Sequence, residues 1–183
     1  MKYFTSFTVI ILFNVTTVLS QDLDYKTSDV GAEIQWQPDG VLLNMQLAFN
    51  VKAHHTIIFR VGYNKIQTGS IIHNSENGDG WGGSLGYRYY VKDVPLKFFA
   101  GLRIDACKMN VHWTNSFFQE GDTRLAFMQP TIEAGYTFLF NDKFFITPHF
   151  AAGYKIKMYS KGENINYGKG VIPQPGVSAG WRF

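Results

Sequence analysis

Four consecutive residues, His112-Trp113-Thr114-Asn115, bring together the side chains best suited to chemistry in this chain. A base close to a hydroxyl is the beginning of a nucleophilic centre, and it needs an acid to orient the base. The nearest acid is Glu120, which falls in a polar stretch, 114–124, that reads as a loop. Without the acid on a neighbouring element the three roles do not meet, so no catalytic set is expected. The other histidines carry less. His54 and His55 stand in a tight polar turn and read as solvated, and His149 reads as a hydrogen-bonded interior residue. Cys107 is the single cysteine, which excludes an internal disulfide and any CxxC centre. No phosphate loop, zinc spacing or dinucleotide fingerprint is present, and no metal or cofactor is expected.

A second set is defined by phase. Glu33, Arg60, Arg88, Arg103, Asp105, Glu133, Lys155 and Arg182 each stand at alternate positions among Gly, Ser, Thr and Asn. Such charges could make a proton path, a selectivity ring or a mutually neutralising network. The choice depends on the elements that hold them.

Those elements are strands. Val30, Ala32, Ile34 and Trp36 alternate with Gly31, Glu33 and Gln35, and the same period-two pattern recurs through 43–51, 57–64, 81–91, 98–107, 128–138, 144–156 and 175–183. No helical period appears between these segments. Pro38-Asp39-Gly40 is a tight turn, with φ fixed at Pro and positive φ tolerated at Gly. The connections at 52–55, 92–95 and 141–143 are short, whereas those at 73–80, 114–124 and 160–174 read as long loops. The expected fold is all-β, an eight-stranded antiparallel up-and-down transmembrane β-barrel, with short turns at one end and long loops at the other, a pattern that only the short connection at 37–40 breaks.

The two faces separate this from a soluble barrel. One face is almost wholly aliphatic or aromatic, and the other is small, polar or charged. A soluble ligand-binding barrel would put its apolar residues inside and a Lys/Glu-rich face outside. Charged residues make up only 17% of the chain, below the roughly 25% of soluble domains. The small set therefore belongs in a narrow lumen. An eight-stranded interior is about filled by side chains, and an unpaired buried charge is costly, so the phased charges are expected to neutralise one another across the barrel's middle. Tyr63, Trp81, Tyr87, Tyr89, Trp36, Trp181 and Phe183 lie toward strand ends, where interfacial aromatics sit. The formal charge of +3 is too dispersed to suggest nucleic acid.

Lys2 followed by the apolar run Tyr3 to Leu19, with small residues before Gln21, fits a secretory signal cleaved after Ser20. The expected division is a signal peptide over 1–20 and a barrel domain over 21–183.

Val177, Ala179, Trp181 and Phe183 share one face of the last strand and resemble the C-terminal signal strand of bacterial outer-membrane barrels, which the barrel-assembly machinery reads. The texture Ser84-Leu85-Gly86-Tyr87-Arg88-Tyr89-Tyr90 is similar to that of the small eight-stranded outer-membrane barrels of the "outer membrane protein β-barrel domain" family of Bacteroidetes-type bacteria. The resemblance implies residence in the outer membrane with both termini periplasmic. It also implies contact with outer-membrane lipid, lipopolysaccharide and other outer-membrane proteins. The implied role is non-enzymatic: a structural or surface-interaction barrel, or an accessory subunit of a larger complex, with a narrow pore as the alternative. His112-Trp113-Thr114-Asn115 is also similar to the His-x-Ser-Asn string of lipid A deacylase barrels, which would imply a lipid-modifying enzyme, with Thr114 standing in place of the serine.

Overall fold

The structure is a computed structural model and describes residues 27–69, 75–91, 97–114, 120–161 and 170–183. The expected signal segment, most of the lead-in after it and the turn at 92–95 lie outside the described residues. Eight strands follow in order: β1 Ser28–Gln37, β2 Gly40–Lys52, β3 His55–Gly69, β4 Ser75–Tyr90, β5 Lys97–Thr114, β6 Glu120–Phe140, β7 Phe144–Lys161 and β8 Gly170–Arg182. Each pairs antiparallel with its sequence neighbours, and β1 also pairs with β8, so the sheet closes into a barrel. At the seam the Ser28 N–H donates to the Phe183 carbonyl at 3.1 Å, and the Phe183 N–H returns a bond to Ser28 at 2.9 Å. Closure leaves no open sheet edge, which is the condition for strands to cross a bilayer.

Local chemistry sets the turns. Asn141 and Asp142 both take positive φ, 50° and 54°, and the Lys143 N–H closes on the Phe140 carbonyl at 3.2 Å. Two successive left-handed residues make the turn whose twist matches paired strands, and Asn and Asp tolerate that conformation best after Gly. The β6–β7 ladder lapses beside Pro130 and Pro148, each of which lacks the N–H that a ladder bond needs.

The strands run further than the alternation suggested. Residues 75–80, 120–124 and 170–174, expected in loops, belong to β4, β6 and β8, and β5 and β7 extend to Thr114 and Lys161. Gly, Asn and Asp there do not break the chain because the neighbouring strand supplies pairing all along, as in Asn77↔His112 and Asp79↔Asn110. Composition alone marks such residues as turn formers, and tertiary pairing overrides it.

Burial is inverted relative to a water-soluble protein. Leu102, Ile132 and Val61 are 62–64% exposed, while Glu33 and Glu133 are 3–4% exposed. Large charged side chains are almost never buried unless paired, and an apolar wall of this extent marks a surface built to meet something apolar. Aromatic rings frame that wall. Tyr63 and Trp81 pack edge to face near one end, and Phe144 and Trp181 do so near the other. Along β6, Ala126 and Tyr136 are separated by about 33 Å of strand. Tilted by 35–45°, that rises about 25 Å, the height of a transmembrane barrel's apolar band.

Candidate functional site

Inside the barrel all eight strands contribute to one polar layer. Glu133 on β6 is its centre. It accepts from Arg88 Nε at 2.6 Å, Arg60 Nη2 at 3.2 Å and Arg103 Nη1 at 3.4 Å. Glu33 on β1 takes Arg60 Nε at 3.1 Å, Gln35 Nε2 at 2.8 Å and Asn44 Nδ2 at 2.9 Å. Arg103 also reaches its own strand neighbour Asp105, at 3.0 Å, and donates to Gln174 on β8 at 2.8 Å. His149 on β7 sits 3.1 Å from Gln35 Nε2 and 3.7 Å from Glu33. Three guanidinium groups thus meet three carboxylates. Gly101 makes room for this crossing, since a methyl group there would lie 3.0 Å from Glu133 Cγ and 3.2 Å from Arg88 Cγ.

The remaining two phased cations do not join the layer. Arg182 makes a bidentate pair with Asp29 across the β1–β8 seam, at 2.7 and 2.8 Å. Lys155 reaches Asp39 in the β1–β2 turn at 2.8 Å. The expectation of one network across the middle is corrected to a central layer with a separate pair toward each end. Strand position is the physical cause, because Arg182 ends β8 and Lys155 stands well toward the opposite mouth. Sequence reasoning missed both acids, one at the start of β1 and one in a turn. Asp29 shares phase with Gly31, Glu33 and Gln35, a signal that was available.

Toward the end where β5 meets β6 the lumen becomes apolar. Ile66, Met109 and Phe127 pack together, with Cys107 against them, and Val111, Leu125 and Ile172 are also buried. This corrects the expectation of a lumen face that is small and polar throughout. At the opposite end Tyr90, Phe99 and Phe145 are buried. Between Asn44, Asn64, Gln129 and Gln174 a cavity of about 20 Å³ remains, room for about one water.

His149 is the hydrogen-bonded interior residue expected, but the histidines of the turn at 52–55 are not simply solvated. His54 and His55 are half-buried, His54 bonded to the Tyr90 carbonyl and His55 to the Tyr87 hydroxyl. His112 points outward, and its nearest acid is Asp122, not Glu120. Nδ1 lies 2.9 Å from Asp122, while Nε2 faces Glu120 at 4.0 Å. The hairpin register His112↔Asp122 makes that pairing. Nε2 is the atom that would have to accept a proton from a nucleophile, and it is directed at a carboxylate. Thr114 lies opposite Glu120 on the ladder, and Asn115 lies outside the described residues.

The hydrogen bond to Asp122, aided by the charges of Asp122 and Glu120, raises the His112 pKa above its ordinary value. A histidine whose pKa is raised by folding contributes stability below its unfolded pKa, near 6.5, and loses it as pH rises through the folded pKa. Histidine NMR titration of the folded barrel is expected to show His112 titrating above pH 6.5, and Asp122→Asn to return it toward that value. A His112 pKa unmoved by the substitution would contradict the pairing.

In Val177, Ala179, Trp181 and Phe183 the outward stripe of β8 continues the apolar wall, with Trp181 and Phe183 exposed.

The barrel has the architecture of small outer-membrane β-barrel proteins. It is similar to the N-terminal β-barrel domain of Pseudomonas aeruginosa OprF, with a TM-score of 0.56 at 14% identity, covering 86% of this chain and 98% of that one. A major outer membrane protein from Thermus thermophilus matches with a TM-score of 0.58 at 11% identity, over 86% and 99% of the two chains. The attachment invasion locus protein Ail of Yersinia pestis matches at 0.55 and 10% identity, again over 86% and 99%. No curated protein sequence matches. Identities this low carry the fold and nothing finer. At the level of sequence, the family described as "Protein of unknown function (DUF3575)" matches residues 7–174, from ahead of β1 into β8, and the chain belongs to that family.

Proposed function

We propose that this protein is a closed, non-enzymatic barrel of the bacterial outer membrane, with both termini periplasmic. In this proposal it works through its outer wall and outer connections, as a structural or surface-interaction protein or as an accessory subunit beside other outer-membrane proteins. The observation that carries this is the filled lumen: a balanced charge layer spans all eight strands, capped by apolar side chains on either side. A barrel that neither conducts nor holds a ligand inside has only its exterior to offer. The apolar stripe Val177, Ala179, Trp181 and Phe183 is proposed as the surface that the assembly machinery reads. The signal segment over 1–20 is the proposed route of export. Separation of outer from inner membranes, followed by mild-detergent purification, tests the reading. Recovery in the outer-membrane fraction with heat-modifiable migration is expected, and a protein that remains soluble without detergent contradicts it.

One alternative is favoured by a specific observation. The His112–Asp122 pair stands two residues from Thr114 at the outer end of β5, a start toward ester hydrolysis on lipid. The direction of Nε2 argues against it. Thr114→Ala is expected to leave the mass profile of lipid A unchanged, and a shift by one acyl chain on substitution would establish the enzyme.

A further inference from the structure

We infer that the outer wall of β5, β6 and β7 holds a binding site for a phosphorylated, acylated glycolipid of the lipid A type. The inference rests on the outer-leaflet placement proposed above. Lys108, Arg124 and Lys161 all point outward on these adjacent strands and are exposed. Arg124 lies directly opposite Lys161 on the ladder, and Lys108 lies opposite Ala126, one diagonal step from Arg124. Directly opposed side chains stand about 5 Å apart at Cβ and diagonal ones about 7–8 Å, so one or two phosphate groups would touch all three. Like charges directly opposed on a ladder are destabilising unless something neutralises them.

The acids nearby do not serve that purpose. Asp122 and Glu120 face His112. Asp79 stands opposite Lys65 and hydrogen-bonds Tyr63. None of the three cations has an ion pair among the described residues.

Depth places the cluster at a headgroup. Lys108 shares its ladder row with Trp81 on one side and, through Ala126, with Tyr159 on the other. Trp81 and Tyr159 are exposed, as rings in an interfacial belt are. Arg124 and Lys161 lie one row beyond, on the headgroup side.

Below the cations the same strands narrow the wall. Ile104, Pro130 and Ile132, flanked by Leu102 and Tyr154, line a groove of about 780 Å³. Ile104 lies about 13 Å along β5 from Lys108. An apolar furrow whose upper edge lies about 13 Å along the strand from Lys108, beneath three cations with no ion pair among the described residues, matches an amphiphile with acyl chains below and phosphate above. A free anion would have no use for the furrow, and a neutral lipid none for the cations.

The test is native mass spectrometry of the detergent-folded barrel titrated with bis-phosphorylated lipid A, dephosphorylated lipid A and phosphatidylglycerol. The triple variant Lys108→Gln, Arg124→Gln, Lys161→Gln is expected to bind bis-phosphorylated lipid A at least about tenfold more weakly, the least that losing charged hydrogen bonds should cost. The wild type should show a similar loss toward dephosphorylated lipid A. Ile104→Trp, which fills the groove in the outer half of the wall and leaves the cations in place, should also weaken binding. Equal binding by wild type and triple variant, or by phosphorylated and dephosphorylated lipid, overturns the site. Phosphatidylglycerol bound as tightly as lipid A overturns the glycolipid assignment. Heat-modifiable migration of each sample separates the two levels: a folded barrel with no preference sinks the site alone, and a chain that never inserts sinks the membrane reading with it.

Discussion

Glu133→Ala is expected to destabilise the barrel by about 3–5 kcal/mol, the cost of breaking a buried ion pair by removing one partner. The effect is large because one carboxylate serves three arginines, at 2.6, 3.2 and 3.4 Å, and none of the four side chains is more than 3% exposed. Arg60 keeps Glu33 and Arg103 keeps Asp105. Arg88 has no other ion-pair partner among the described residues, only the face of Phe99 at 4.1 Å, so the stranded charge is chiefly Arg88. The cost should therefore fall when Arg88 is neutralised as well, and Arg88→Met in the Glu133→Ala background should recover part of the loss. Equilibrium urea unfolding from lipid vesicles, followed by tryptophan fluorescence, reads both variants. A change within about 0.5 kcal/mol for Glu133→Ala, the usual range for exposed substitutions, would mean that water reaches the layer freely.

Ile132→Lys should cost about 2–4 kcal/mol in a bilayer, the penalty for a lysine near the midplane of a barrel's lipid face. Ile132 is 62% exposed on β6. In a water-soluble protein a lysine at such a position would be close to neutral. The sign of the environment is thus read from one side chain. Asn77→Lys, exposed on β4 beyond the aromatic row, serves as the comparison and should change little. Equal effects at the two positions would mean that the apolar wall does not lie in hydrocarbon.

Much of the fold was legible because a barrel wall is a period-two problem. The inward phase of Glu33, Arg103 and Glu133, and the outward phase of Leu102 and Ile132, follow from counting alternate residues within a strand. Partners were much less legible, because they depend on register between strands. Register depends on where each turn sits. With 114–124 taken as loop, nothing aligned His112 with Asp122; the strand pairing that sets Thr114 opposite Glu120 does so at once. Asp39 posed a similar difficulty, since no local rule connects a turn residue to Lys155 on β7. The apolar mouth around Ile66, Met109 and Phe127 was hidden for a related reason. The strand ends that carry it are rich in Gly, Asn and Asp, and their neighbours alone reveal them as strands.

Planar-bilayer recording of the purified protein bears most directly on a barrel closed by its own side chains. The wild type is predicted to be electrically silent, with leak appearing when Glu133→Ala opens the central layer. Stable, ohmic conductance through the wild type would contradict the filled lumen and make the protein a narrow pore.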